Sequence, residues 1–162
     1  MEPNWLNERE ARAWRGYQSM RISLGSHLAR HMSSECLLTE AEFEILVNVS
    51  EAPERTIRSR DLCSALAWER SRLSHQLSRM ESRGLISREP CLGDARGFNV
   101  VLTNAGLAAI EAAAPKHLVE VRRSFVDALT DEQLDSFGDI AETIITHLAE
   151  QESNERCGDS PI

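Results

Sequence analysis

The chain has few aromatic residues, only three Trp, one Tyr and four Phe in 162, and no apolar run near the roughly 18 residues that a membrane span needs. A membrane partner is therefore not expected. Cysteine is sparse and scattered: Cys36, Cys63, Cys91 and Cys157 lack the close pairing of zinc ribbons and redox CxxC motifs, so free, reduced thiols are expected. The opening Met1-Glu2-Pro3-Asn4 lacks the basic and then apolar pattern of a secretory leader. These absences predict a cytoplasmic protein. The sequence also has no nucleophile elbow, no phosphate-cradling glycine loop and no paired carboxylates of one cleft. Enzymatic activity is not expected, and no cofactor or metal is implied. No internal repeat or low-complexity linker interrupts the chain, and its length suits one domain.

Basic charge is also scarce, with a net charge of −8, which at first argues against a partner made of phosphates. Its distribution reverses that impression. From Arg55 to Gly97 nine arginines face five acids, a local +4, which leaves nine bases and twenty-one acids, a local −12, outside that stretch. A charge run is more often a solvated face than a binding surface, so this asymmetry needs structural context.

Periodicity supplies it. Trp14, Tyr17, Met20 or Arg21, Leu24, Leu28 and Met32 recur in steps of three and four, predicting a long first helix over about 7–33. Thr39 and Glu42 form a capping box that opens a second helix burying Phe43, Leu46 and Val47. Pro53 ends it, and an extended piece at Thr56–Arg58 leads to Ser59 as the N-cap of a short third helix with Leu62, Cys63 and Leu66 inward. A fourth helix, about Arg70 to Arg83, gathers Leu73, Leu77 and Met80 within about 60° at 100° per residue. Its opposite face carries Ser71, Arg72, His75 and Arg79.

Gly84 terminates that helix, and 85–89 and 99–102 read as partner strands. The polar stretch Pro90 to Phe98 between them should project as a wing. Thr103 caps an alanine-rich helix towards Ala128, with a kink expected at Pro115. Thr130 and Gln133 open a last helix bearing Leu134, Phe137, Ile140, Ile144, Ile145 and Leu148. From about 152 to 162 the chain turns polar and a flexible tail is expected. The expected fold is mainly α with a small β-hairpin wing, a winged helix-turn-helix lobe over about 38–103 within a single domain over 1–151. The helices over about 7–33 and 104–151 need a second copy to cover their apolar faces, so a homodimer is expected. A self-contained helical bundle with an incidental hairpin is the plainer alternative.

Two blocks resemble the multiple antibiotic resistance regulator (MarR) family over roughly Leu38 to Gly106. Asp94-Ala95-Arg96-Gly97 followed by Val100-Val101-Leu102-Thr103-Asn104-Ala105-Gly106 matches the family's wing pattern, Asp-x-Arg and then x-Leu-Thr-x-x-Gly. Arg79-Met80-Glu81-Ser82-Arg83-Gly84-Leu85-Ile86-Ser87-Arg88 is similar to the close of its recognition helix. The resemblance implies a triangular dimer on double-stranded DNA, with recognition helices in successive major grooves and wings in the flanking minor grooves. It also implies a transcriptional regulator, commonly a repressor of a pseudo-palindromic operator, released by a small aromatic or phenolic effector. One departure is Glu69, where the family usually places a Ser or Thr cap; an acid at a helix N-terminus still suits the dipole.

On the fourth helix Arg72, His75 and Arg79 are the candidate base readers, because Arg bonds guanine bidentately and His reaches base edges. Ser71, Ser74 and Gln76 flank them. Arg58 and Ser59 are candidate phosphate contacts. In the wing, Arg96 is the candidate minor-groove residue, with Asp94 orienting its guanidinium. Trp14, Tyr17 and Arg21 are candidate effector-pocket residues, although an aromatic stripe is more often core. His27 and His31, four apart, have a metal-binding spacing but no third ligand nearby, and Cys36 is the nearest candidate for a redox-sensing thiol. Metal or redox sensing on the same fold, and a winged helix that binds protein instead of DNA, are the alternatives.

Overall fold

The computed structural model describes residues 4–91 and 94–158, and for residues 94–96 and 152–158 only the course of the backbone. Six helices and three strands follow in the order α1 (Glu8–His31), α2 (Glu40–Glu51), β1 (Thr56–Arg58), α3 (Ser59–Leu66), α4 (Arg70–Ser82), β2 (Ile86–Cys91), β3 (Asp94–Leu102), α5 (Asn104–Ser124) and α6 (Asp131–Gly158). The fold is the expected one, mainly helical with a small antiparallel sheet. Two units divide the chain, one up to Val121 and one from Arg122 onward. Among the described residues no helix is long and apolar enough to cross a membrane.

Helix starts follow local chemistry. Thr39 and Glu42 satisfy each other's backbone N–H at 2.8 and 3.2 Å, and Thr130 and Gln133 do the same at 3.0 and 3.3 Å. Asn7 and Glu10 add a third box at the head of α1. Each removes two of the orphan donors of a first turn. At α3 the expectation changes by one residue: Arg58 occupies the N-cap, without a side-chain bond, and Ser59 is already helical.

One core fills the first unit. It joins Ile45, Leu46 and Val49 of α2, Leu62 of α3, Leu73, Leu77 and Met80 of α4, Leu85, Ile86, Val100 and Leu102 of the sheet region, and Ile110 and Ala113 of α5. Phe43 and Val47, expected inside, are only partly buried against it. No residue of α1 is buried within this chain, and Trp14 and Tyr17 remain about half exposed, at 52% and 48%. Most of the expected stripe, from Trp14 to Leu28, thus lies outside the chain's own core, whereas its last residue, Met32, stands just past α1 and is buried in that core.

The sheet departs from the expected hairpin in two ways. Its strand order is β1-β3-β2, so the piece at Thr56–Arg58 is a true strand, pairing Ile57 with Val100. The β2–β3 ladder also runs beyond the expected ends: Pro90 faces Phe98 and Cys91 faces Asp94, with an irregularity between Pro90 and Cys91. Pro90 is tolerated because β2 is an edge strand, where a missing N–H costs no ladder bond.

In the second unit, α5 ends at Ser124, short of the expected Ala128, and a 3-10 turn follows at Val126–Ala128. Phe125 packs edge-on against Phe137 at 5.2 Å. Helix α6 continues to Gly158, past the polar break expected near residue 152.

Candidate nucleic-acid interface

Helix α4 is two-faced. Leu73, Leu77 and Met80 are each at most 2% exposed, while Ser71, Arg72, Ser74, His75 and Arg79 are all exposed. Its N-cap, Glu69, makes no side-chain capping bond. Gln76 sits apart from the other candidates: it is half-buried, and its Nε2 is shut from solvent with no hydrogen-bond partner among the described residues.

Two arginines, whose contacts were missed in the sequence, hold this face in place. Arg88 of β2 reaches back to α4, donating from Nε to Glu81 at 2.9 Å and from Nη2 to the Ser78 hydroxyl at 2.9 Å. Its guanidinium also lies over the Phe98 ring at 5.5 Å, tying the hairpin root to the helix. At the same C-terminal end of α4, Arg83 donates to the buried Glu42 at 2.5 Å and to the Leu37 carbonyl at 3.0 Å. Burial alone would push the Glu42 carboxyl up. The Thr39 backbone N–H and the Arg83 guanidinium outweigh it and hold the group below its ordinary 4.5. Glu44 moves the opposite way, raised by burial and by the nearby Glu40 despite the charge of Arg72.

Arg58 is exposed at the end of β1, and Ser59 is half-buried. Both line a cleft of about 430 Å³ between α3, α4 and the hairpin, together with Arg60, Arg70, Ser74 and Phe98. Arg60 and Arg70 went unread in the sequence, where their only signal was membership of the basic stretch. Asp94 and Arg96 fall on β3, but their side chains lie outside the described residues.

The family pattern around Thr103 acquires a physical cause. Thr103 donates its hydroxyl to the Gly84 carbonyl at 2.6 Å and accepts from the Gly106 N–H at 3.0 Å. A Cβ on Gly106 would collide with the Leu85 carbonyl and stand 2.8 Å from Leu102 Cδ1. Only glycine lets α5 start this close to the head of β2.

On α1 the Trp14 and Tyr17 rings are neighbours at 5.7 Å, and Arg21 donates to Gln18 at 3.1 Å. His27 and His31 meet Glu120 of α5 at 2.5 and 3.6 Å. Among the described residues no group of three or more His, Cys, Asp or Glu is arranged to hold a metal. His117 packs on Phe43 at 4.6 Å, and burial, then the neighbouring His31, lowers its pKa. Cys36 is a half-buried free thiol directed at the Ala113 carbonyl at 3.9 Å.

The sequence profile of the MarR family matches residues 38–98. The regulator PecS of Dickeya dadantii is 32% identical over 102 residues, 62% of this chain and 60% of PecS. AbsC of Streptomyces coelicolor, described as a MarR family transcriptional regulator, superposes with a TM-score of 0.85 at 38% identity, over 91% of this chain and 99% of AbsC. Sco3205 of the same organism, described as a MarR family regulator and solved in complex with DNA, gives 0.85 at 34% identity, over 90% and 92%.

Proposed function

The chain belongs to the MarR family, and from that premise we propose that it is a sequence-specific DNA-binding transcriptional regulator that works as a homodimer. The observation that carries this reading is the α4 face, where Arg72, His75 and Arg79 stand exposed on a helix anchored by Leu73, Leu77 and Met80 beside a hairpin. Recognition helices of a two-fold dimer would enter major grooves about 34 Å apart, the spacing of one turn of duplex. The DNA-bound state of Sco3205 at 34% identity supports the same mode here. Arg58, Ser59, Ser71 and Ser74 then contact backbone phosphate, and Arg96 of the wing enters the minor groove.

The finer reading is a repressor released from a pseudo-palindromic operator by a small aromatic ligand seated beside Trp14, Tyr17 and Arg21. Such a ligand must bind the DNA-free shape more tightly, and a tenfold loss of DNA affinity needs about 1.4 kcal/mol of that preference. Its site is supported by the half-exposed Trp14 and Tyr17 rings, which offer a stacking surface outside the core.

Selection of bound duplexes from a randomised pool, followed by a salt titration on the winner, tests the function. Arg72→Ala is expected to cost about 1 to 3 kcal/mol per contact on the selected duplex and little on a scrambled one. Arg96→Ala is expected to weaken both alike and to flatten the log-affinity against log-salt slope by about two per dimer. No enrichment from the pool would favour a winged helix that binds protein instead.

A further inference from the structure

The guanidinium carbon of Arg72 lies 3.9 Å from the centroid of the Trp68 ring. Trp68 stands just before Glu69, the N-cap of α4, so it lies outside the helix whose face it meets. Its side chain is half-buried and packed against the core. Its backbone is equally fixed: the Trp68 N–H donates to the Cys63 carbonyl at 3.0 Å, and Ala67 before it closes the turn in the left-handed region at φ 50°. The indole is thus a rigid plate attached to the core, with an exposed and otherwise flexible arginine laid across it.

We infer that Trp68 is a positioning residue for DNA reading, holding the Arg72 guanidinium flat before DNA arrives; this rests on α4 being the reading helix. Stacking uses only the face of the guanidinium. The N–H donors all lie in its plane and stay free to bond a base edge. An arginine already ordered on an aromatic plate loses less rotamer freedom when it binds, and the ring's negative face favours the cation throughout. A lysine at position 72 would keep the charge but present no flat fork to the ring.

The test is a double-mutant cycle read by fluorescence anisotropy. The probes are the duplex that the wild-type protein enriches from a randomised pool and a scrambled duplex of equal length. Trp68→Leu is expected to weaken the enriched duplex by about two- to tenfold for each Arg72 of the dimer, the cost of ordering a long side chain on binding, and to leave the scrambled duplex almost unchanged. Trp68→Phe, which keeps a ring, is expected to stay within about twofold of wild type. Adding Trp68→Leu to Arg72→Ala is expected to cost nothing more.

An equal loss from Trp68→Leu with Arg72 present or absent, or tighter binding by Trp68→Leu, overturns the inference. Arg72→Ala leaving the enriched duplex unaffected fails the reading of the α4 face itself, and the inference with it. A measurement that needs no Trp68 variant guards against misfolding: the Arg72 Nε–H resonance of the free wild-type protein, assigned by its loss in Arg72→Ala, is expected upfield under the indole ring current. A random-coil position for that resonance overturns the stack.

Discussion

Glu42 shows how one residue serves two elements. It closes the capping box of α2 and, only 2% exposed, pairs with Arg83 just past the end of α4. Because its folded pKa lies below the ordinary 4.5, the stability it contributes is present above that value and lost as pH falls through the folded pKa. Glu42→Gln keeps an acceptor for the Thr39 N–H but loses the charge. It is expected to cost about 1 kcal/mol at pH 7, with the gap to wild type closing below about pH 4.5, as read by urea denaturation across pH. Gly106 is stricter, since a methyl there meets backbone and not a side chain that can turn away. Gly106→Ala is expected to cost about 3 kcal/mol in the same assay. The capping role of Glu42 was legible in the sequence, because a capping box is a local pattern. Its ion pair was not, since Arg83 lies 41 residues away. The glycine pattern was visible as a family likeness, whereas its cause, the Leu85 carbonyl, exists only once β2 and α5 are folded together.

Elements were read well where one period decided them and poorly where the partner was remote. The inward triplet Leu73, Leu77 and Met80 of α4 is the expected one, because a 3.6-residue period fixes which side chains share a face. The hairpin was underestimated because Pro90 looks like a strand breaker until β2 proves to be an edge. Strand β1 was seen as extended chain but not as the third strand, since three residues carry no alternation to read. In the turn between α3 and α4, Ala67 adopts φ 50° and ψ 40°, a conformation that costs an L-residue roughly 1–2 kcal/mol. Ala67→Gly relieves that strain and gives back about 0.5–1 kcal/mol through the freer unfolded chain. A net gain of about 0.5–1 kcal/mol is expected, seen as a raised Tm. A lowered Tm would show that the turn does not hold its left-handed residue in solution.

For the whole molecule, the apolar residues left uncovered motivate the dimer proposed above. Trp14, Tyr17 and Ile22 on α1, and Ile140, Ile144, Ile145 and Leu148 on α6, are each at least 48% exposed in the single chain. Periodicity located all of these except Ile22, and could not say what covers them. Light scattering at micromolar concentration is expected to give twice 18.2 kDa; a monomer would remove the basis for the proposed one-turn spacing between two α4 helices. The junction at Thr103 bears on how such an assembly transmits motion. A single residue separates the end of β3 from the start of α5, and that residue is bonded to both the Gly84 carbonyl and the Gly106 N–H. A rotation of α5 about its own axis would carry β3 with it, as a crank carries its handle. The amides of Leu85, Thr103 and Gly106 should therefore exchange with deuterium at one common opening free energy, as one cooperative unit, and separate rates for the three would show that the joint bends.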